Sequence, residues 1–376
     1  MADFLDKLAG SLYGQAIGDG MGAPVEGWSS DRIKEQFGDH DFTSFLPPTH
    51  GDDPALGKGA GRITDDTLMA EALIFAYMDA GDHLDAYGYA ERMLPHVQGE
   101  QVWVPERGKE MSLFDRLWHP EKYPWMRLAM GNADPRSAGV GNCVNCGVAM
   151  WTIPAGAVNA GDPEGAYQEA AAIGLAHNES FAVEAGAVMA AAAAAAFGAG
   201  ATIEDAVTAA ERLSRDGTHG ATVAAVGAVD PGDDLDTFVL RVRTAVAPFD
   251  QREGHVPDDQ PLALAAASDI GRPSRLASIE ELPVALAALK YGAGDFMRTL
   301  RAGVCYGRDC DSIAGMACGL HGAIYGRSGL HEALCVEADK ANRRDFMELA
   351  RKFGETIAAI AEKDRKRAAA HEAALG

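Results

Sequence analysis

Two segments of this 376-residue chain gather more oxygen donors than a folded backbone needs. Gly61-Arg62-Ile63-Thr64-Asp65-Asp66-Thr67 stands directly before the apolar-periodic run Leu68-Met69-Ala70-Glu71-Ala72-Leu73. One Thr or Asp there can cap a helix, because the first backbone N–H groups lack partners and the helix dipole favours negative charge. Capping takes one such side chain, whereas two carboxylates and two hydroxyls fall in four consecutive residues. The surplus calls for a counter-ion. Gly307-Arg308-Asp309-Cys310-Asp311-Ser312 repeats the order of glycine, carboxylates, hydroxyl and helix start. Asp309 and Asp311 lie two apart in a turn and can grip one ion, with Ser312 adding a hard oxygen. All-oxygen donors favour Mg²⁺, Mn²⁺ or Ca²⁺ over zinc. Carboxylates from two helix starts suit two Mg²⁺ ions that share a bridging group and clamp substrate oxygens and a water.

Two further segments offer recognition groups. Gly14-Gln15-Ala16-Ile17-Gly18-Asp19-Gly20-Met21-Gly22-Ala23-Pro24-Val25-Glu26 reads as a glycine-rich helix end followed by a loop, with Asp19 and Glu26 as its acids. Gly139-Val140-Gly141-Asn142-Cys143-Val144-Asn145-Cys146 places two asparagines among small residues, a composition suited to phosphate or sugar hydroxyls. His177 precedes an Ala-rich helix, where a lone histidine is more often structural than catalytic. Cys143 and Cys146 form one CxxC, but no second pair or paired histidines complete a structural zinc site.

These donors must be held by helices. Helical periodicity covers 67–79, 164–176, 180–197, 203–213, 283–289 and 345–370, and strand patterning is almost absent. With aromatics at only 7%, a sandwich, barrel or doubly wound sheet is disfavoured. The expected fold is all-α, a compact orthogonal multi-helix bundle whose Ala and Gly let axes approach closely. One domain over 1–376 is expected, with a Trp- and Pro-rich, loop-rich insertion at about 95–141 and an acidic excursion or linker at 228–278. The basic run 363–367 reads as a solvated helix face.

A net charge of −22 repels phosphate backbones and anionic lipid, so neither nucleic acid nor a membrane is an expected partner. The apolar stretch 185–197 is too short for the roughly 20 residues of a membrane span. Met1-Ala2-Asp3-Phe4-Leu5-Asp6-Lys7 lacks a secretory pattern, so a cytoplasmic location is expected.

Four ordered motifs resemble those of the ADP-ribosylglycohydrolases: Gly18 to Glu26, Thr64-Asp65-Asp66-Thr67, Asn142 to Pro154 with Ala149-Met150, and Asp309-Cys310-Asp311-Ser312. The resemblance implies an all-helical, magnesium-dependent glycosyl hydrolase. Thr64, Asp65, Asp66, Asp309, Asp311 and Ser312 would be ligands of two Mg²⁺ ions, with Mn²⁺ as substitute. Glu26 matches a flap glutamate, and the catalytic carboxylates would be Glu26, Asp65 and Asp66, with Asp66 or Glu26 taking a proton from water. The reaction would release ADP-ribose from an acceptor through an oxocarbenium-like state. Gly141, Asn142 and Asn145 would meet the diphosphate with Arg127, Trp125 would stack on a base, and His177 completes the substrate-side candidates. Arg308 replaces a glycine of the common last motif and would pair with a substrate anion or a ligand aspartate. Met150-Trp151 replaces the common Met-Arg, which makes a small ribosylated metabolite or nucleoside a rival to a ribosylated protein. A non-catalytic ADP-ribose-binding module ranks lower, since all six ligand positions keep an oxygen.

Overall fold

The computed structural model describes residues 2–49, 60–99, 101–104, 108–249 and 280–375. Helices dominate it: α1 (Ala2–Gly22), α2 (Ser30–Phe37), α3 (Asp65–Ala80), α4 (Ala86–Gly99), α5 (Leu113–Arg116), α6 (His119–Gly131), α7 (Ile153–Val158), α8 (Pro163–Gly174) and α9 (Ser180–Ala196). There follow α10 (Ile203–Leu213), α11 (Asp216–Gly227), α12 (Leu235–Val246), α13 (Glu281–Gly292), α14 (Phe296–Tyr306), α15 (Cys310–Tyr325), α16 (Glu332–Asn342) and α17 (Phe346–Leu375). The fold is all-α. Among the described residues the one sheet is the antiparallel hairpin of β1 (Gln101–Val104) and β2 (Lys109–Ser112). No described helix is long and apolar enough to cross a membrane.

The segment 95–141 departs from the expected loop. α4 runs through Pro95 to Gly99, and the hairpin, α5 and α6 follow. Pro120 sits in the first turn of α6, where its missing N–H costs nothing, so proline here starts a helix as readily as it breaks one. Of the acidic stretch 228–278, the described part contains α12, and 250–278 lie outside the described residues.

The glycine-rich amino-terminal motif also differs from expectation. It belongs to α1, which is helical through Gly22 and passes into a 3-10 turn at Ala23–Val25. Its glycines recur every fourth residue and face α15. A Cβ on Gly14 would fall 2.1 Å from the Cys318 carbonyl oxygen, one on Gly18 2.2 Å from that of Ala314, and one on Gly22 2.5 Å from the Asp311 nitrogen. Gly322 answers from α15, where a Cβ would stand 2.0 Å from the Gly10 oxygen. The two backbones therefore touch along four turns, which fixes the start of α15 against the end of α1. Behind them α9 is buried on every side by Ala185 to Ala194 and forms the centre of a continuous core.

A second tie holds the carboxy-terminal helix. Buried Glu169 of α8 accepts from the Tyr77 hydroxyl (2.9 Å), Leu84 N–H (2.8 Å) and Asn159 Nδ2 (2.7 Å), and pairs with His83 Nδ1 (2.6 Å). His83 Nε2 reaches Asp364 of α17 at 3.1 Å. The hydrogen bond to Glu169, then the field of both carboxylates, raises the His83 pKa to about 9. A raised histidine pKa contributes stability that is complete below 6.5 and is lost as pH rises through 9. Between pH 6.5 and 9 the wild type is expected to lose about 1 kcal/mol more than His83→Gln, in urea melts at fixed ionic strength.

Candidate metal centre

The Thr64 side chain is the N-cap of α3, accepting from Asp66 N–H at 3.3 Å and donating to Asp66 Oδ2 at 3.1 Å. One hydroxyl thus meets the capping need. Asp19, buried in α1, adds a second cap from outside: its carboxylate accepts from Thr64 N–H (3.0 Å), Thr67 N–H (3.2 Å) and the Thr67 hydroxyl (2.5 Å). The turn before α3 is held by Asn342, which accepts from Ile63 N–H at 3.0 Å and donates to the Gly61 oxygen at 2.7 Å, and by Arg116 on the Ile63 oxygen at 2.7 Å. Asp65 accepts from Trp118 N–H at 3.0 Å. Asp66 keeps Oδ1 buried with no partner.

The second helix start is built by backbone pairing. Gly307 (φ 79°) and Arg308 (φ 61°) turn the chain so that Arg308 N–H donates to Trp28 O at 2.8 Å, and Gly27 N–H to Arg308 O at 2.6 Å. A Cβ on Gly307 would lie 2.5 Å from that Trp28 oxygen, so glycine is required. The pairing lays Glu26 beside Asp309 and Asp311, whose carboxylate oxygens come within 4.8 Å of one another. Asp311 Oδ1, like Asp66 Oδ1, is buried without a partner. Asp309 lies near enough to Asp66 for its charge to raise the Asp66 pKa, which relates the two starts.

Burial is the main cause that raises the carboxyl pKa values here: Asp19 to about 6, Asp65 to about 7, and Asp66, Asp309 and Asp311 upward as well. Mutual repulsion adds to it at Asp66 and Asp311. Such a cluster is stable only with protons or a cation, because paired buried carboxylates cannot all ionise unaided. The two orphaned oxygens and the hard donor set fit a divalent cation.

Glu26, Asp309 and Asp311 are therefore brought to one place, within range of the charge of Asp66, which in turn holds Thr64 and neighbours Asp65; Ser312 is reached by Cys146. The substrate-side candidates are not brought there. Trp125 has no exposed surface: it packs with Tyr89 and against His177, leaving no face for a base. His177 is equally buried, held between Trp125 and Trp151, and burial lowers its pKa to about 3, so it is a neutral core residue. Arg127 donates to the carbonyls of Ser137 and Ala138 at 3.1 and 3.0 Å and to that of Val140. Asn142 donates to Pro120 O at 2.8 Å, the carbonyl left without an i+4 donor by Pro124, and to His177 O at 3.0 Å. Asn145 donates to Glu121 at 3.0 Å and accepts from Asn178 at 2.9 Å. These groups lock the loop rather than wait for a ligand. Gly141 (φ 85°) shapes its turn. Arg308 is ion-paired to buried Glu280.

Sequence reasoning passed over Glu121 and set Cys146 aside with the incomplete CxxC. Glu121 is 1% exposed, its pKa raised to about 8 by burial and then by Asp65. Cys146 donates to Asp309 Oδ2 at 3.0 Å. Each lies within a segment already singled out, but only the fold turns it toward the carboxylates.

A family model described as ADP-ribosylglycohydrolase matches residues 1–366. The uncharacterized protein YegU of Escherichia coli K12 is 26% identical over 353 residues, covering 91% of this chain and 94% of that protein. An uncharacterized Archaeoglobus fulgidus protein is 33% identical over 88 residues, 23% of this chain and 26% of its own. A solved ADP-ribosylglycohydrolase-related protein complex has the same fold, with TM-score 0.55 at 20% identity over 96% of this chain and 99% of that one.

Proposed function

The chain belongs to the ADP-ribosylglycohydrolase family, and from that membership we propose that it is a Mg²⁺-dependent hydrolase cleaving the glycosidic bond between ADP-ribose and an acceptor. Membership supports a hydrolase on this scaffold. The observation that carries the finer reading is the pair of buried, partnerless oxygens, Asp66 Oδ1 and Asp311 Oδ1, at facing helix starts. Asp65, Asp66, Asp309, Asp311 and Ser312, with Thr64 beside them, would hold two Mg²⁺ ions or Mn²⁺. Such ions, when bound, supply positive charge to ribose hydroxyls and lower the pKa of a water.

The remaining work falls to side chains. The carboxylates surround a ring that becomes positive as its bond to the acceptor breaks, and their field stabilises that charge. Glu26 takes the proton of the attacking water: it is half-buried, so it can return that proton to solvent, whereas Asp66 is sealed in the core. Asp19 and Trp118 N–H keep the α3 start in register for this chemistry.

Purified full-length protein is expected to release ADP-ribose from an ADP-ribosylated peptide with Mg²⁺ and not with excess EDTA. No metal-dependent release from any ribosylated acceptor overturns the proposal. The internal engagement of Trp125, Arg127, Asn142 and Asn145 favours one second reading, a small ribosylated metabolite or nucleoside, since these were the groups meant for adenine and diphosphate. A substrate panel separates the two: turnover of nucleosides or sugar phosphates with little on peptides supports the second.

A further inference from the structure

We infer that Cys146 supplies a sulfur donor to the same cation site, making it a mixed oxygen and sulfur centre; this rests on the metal reading above. The thiol is free, 5% exposed, and enters from the turn before the Ala149–Trp151 3-10 segment. Its Sγ lies 3.0 Å from Asp309 Oδ2 and 3.5 Å from Ser312 Oγ, both candidate ligands. Two donors at right angles on one cation, at about 2.3 Å for sulfur and about 2.1 Å for oxygen, stand roughly 3.1 Å apart. The 3.0 Å separation matches that edge, and 3.5 Å is the edge of a wider angle of roughly 105°. Asp66 and Asp311, 4% and 3% exposed, each keep a buried oxygen without a hydrogen-bond partner, a carboxylate oxygen of Asp311 lies within 4.8 Å of one of Asp309, and the charges of Asp309 and Asp66 act on the thiol, which independently marks the place where positive charge is missing.

A thiol among carboxylates gains little as a hydrogen-bond donor, because S–H is a weak one. As a ligand it gains more. A thiophilic cation entering beside Asp309 forms a bond to sulfur while the thiol proton passes to bulk solvent, with no change of oxidation state. The centre then discriminates among cations by softness: Co²⁺ and Cd²⁺ engage sulfur as well as oxygen, and Mg²⁺ uses the oxygens.

The test uses the reduced, metal-stripped full-length chain titrated with Co²⁺, read by absorbance and by thermal shift. Wild type is expected to show a near-ultraviolet sulfur-to-cobalt charge-transfer band that saturates with the thermal shift. Cys146→Ser loses the band and binds Co²⁺ about tenfold more weakly, while its Mg²⁺ affinity changes less than about twofold. Cys143→Ser and Cys310→Ser keep the band. A Co²⁺-dependent thermal shift in wild type without the band, or a band that survives Cys146→Ser, overturns the sulfur assignment alone. No thermal shift with Co²⁺ or Mg²⁺ overturns it together with the metal reading.

Discussion

Asp311→Asn is expected to lower turnover by at least about a thousandfold and to cancel the thermal stabilisation given by Mg²⁺. The carboxylate sits at the first turn of α15, 3% exposed, with Oδ1 unpartnered and with Glu26, Asp309, Asp66 and Asp19 all raising its pKa after burial. Without a cation its charge opposes folding, so the amide should leave the ion-free protein as stable as wild type or more so. With Mg²⁺ at about a hundred times its Kd, wild type gains about 2.7 kcal/mol, a rise in Tm of roughly 3 °C, and the variant does not. The crossing of the two effects is diagnostic, because an aspartate with a purely structural role would be missed equally in EDTA and in Mg²⁺. Differential scanning in both buffers, beside the ADP-ribose release assay, measures it. Equal Mg²⁺ stabilisation in wild type and variant would count against the site.

Gly18→Ala should unfold the protein by more than its small size suggests. In an ordinary helix this change is stabilising by about 1 kcal/mol, since glycine has the greater freedom to lose. Here the new methyl would enter 2.2 Å from the Ala314 oxygen and 2.4 Å from its carbon. Both atoms are backbone of α15 and neither can rotate away. The helices must separate, at a cost of about 3 kcal/mol or more. Separation would also drag Asp311, one turn before Ala314, away from Glu26, so whatever remains folded should bind Mg²⁺ more weakly. Gly227→Ala, at the end of α11 where nothing lies within 4 Å, is the control and should be neutral or mildly stabilising. Urea midpoints at unchanged slope would report both, and a neutral Gly18→Ala would refute the contact.

The fold class and the two donor clusters were legible in the sequence because each rests on local signals. Ala-rich periodicity predicted α10 over 203–213 with both bounds as observed, and α9 to within a residue. The carboxylate surplus at Thr64 to Thr67 was visible because capping has a fixed local demand, which Thr64 meets. What failed depended on neighbours distant in sequence. Glycines at 14, 18 and 22 carry the same letters in a turn and in a helix pressed on another helix, and only the four-residue spacing separates the two. Trp125 and His177 look available because aromatic and titratable groups often serve ligands, yet both fill the interior beside Trp151. Asn142 looked free for a phosphate, while Pro124, eighteen positions earlier, had already created a carbonyl that needed it.

The glycine contact between α1 and α15 also sets the order in which this protein can become itself. Of the two helices α1 leaves the ribosome earlier, and α15 follows only after nearly 290 further residues. Until then the nascent chain carries Asp19, Asp65 and Asp66 without Asp309 or Asp311, beside a stripe of bare backbone open to any other helix. A single late docking event would close that stripe and complete the carboxylate cluster together. Partly made chains should accordingly be inert toward cations and sticky toward chaperones, and the acquisition of activity should coincide with the arrival of α15.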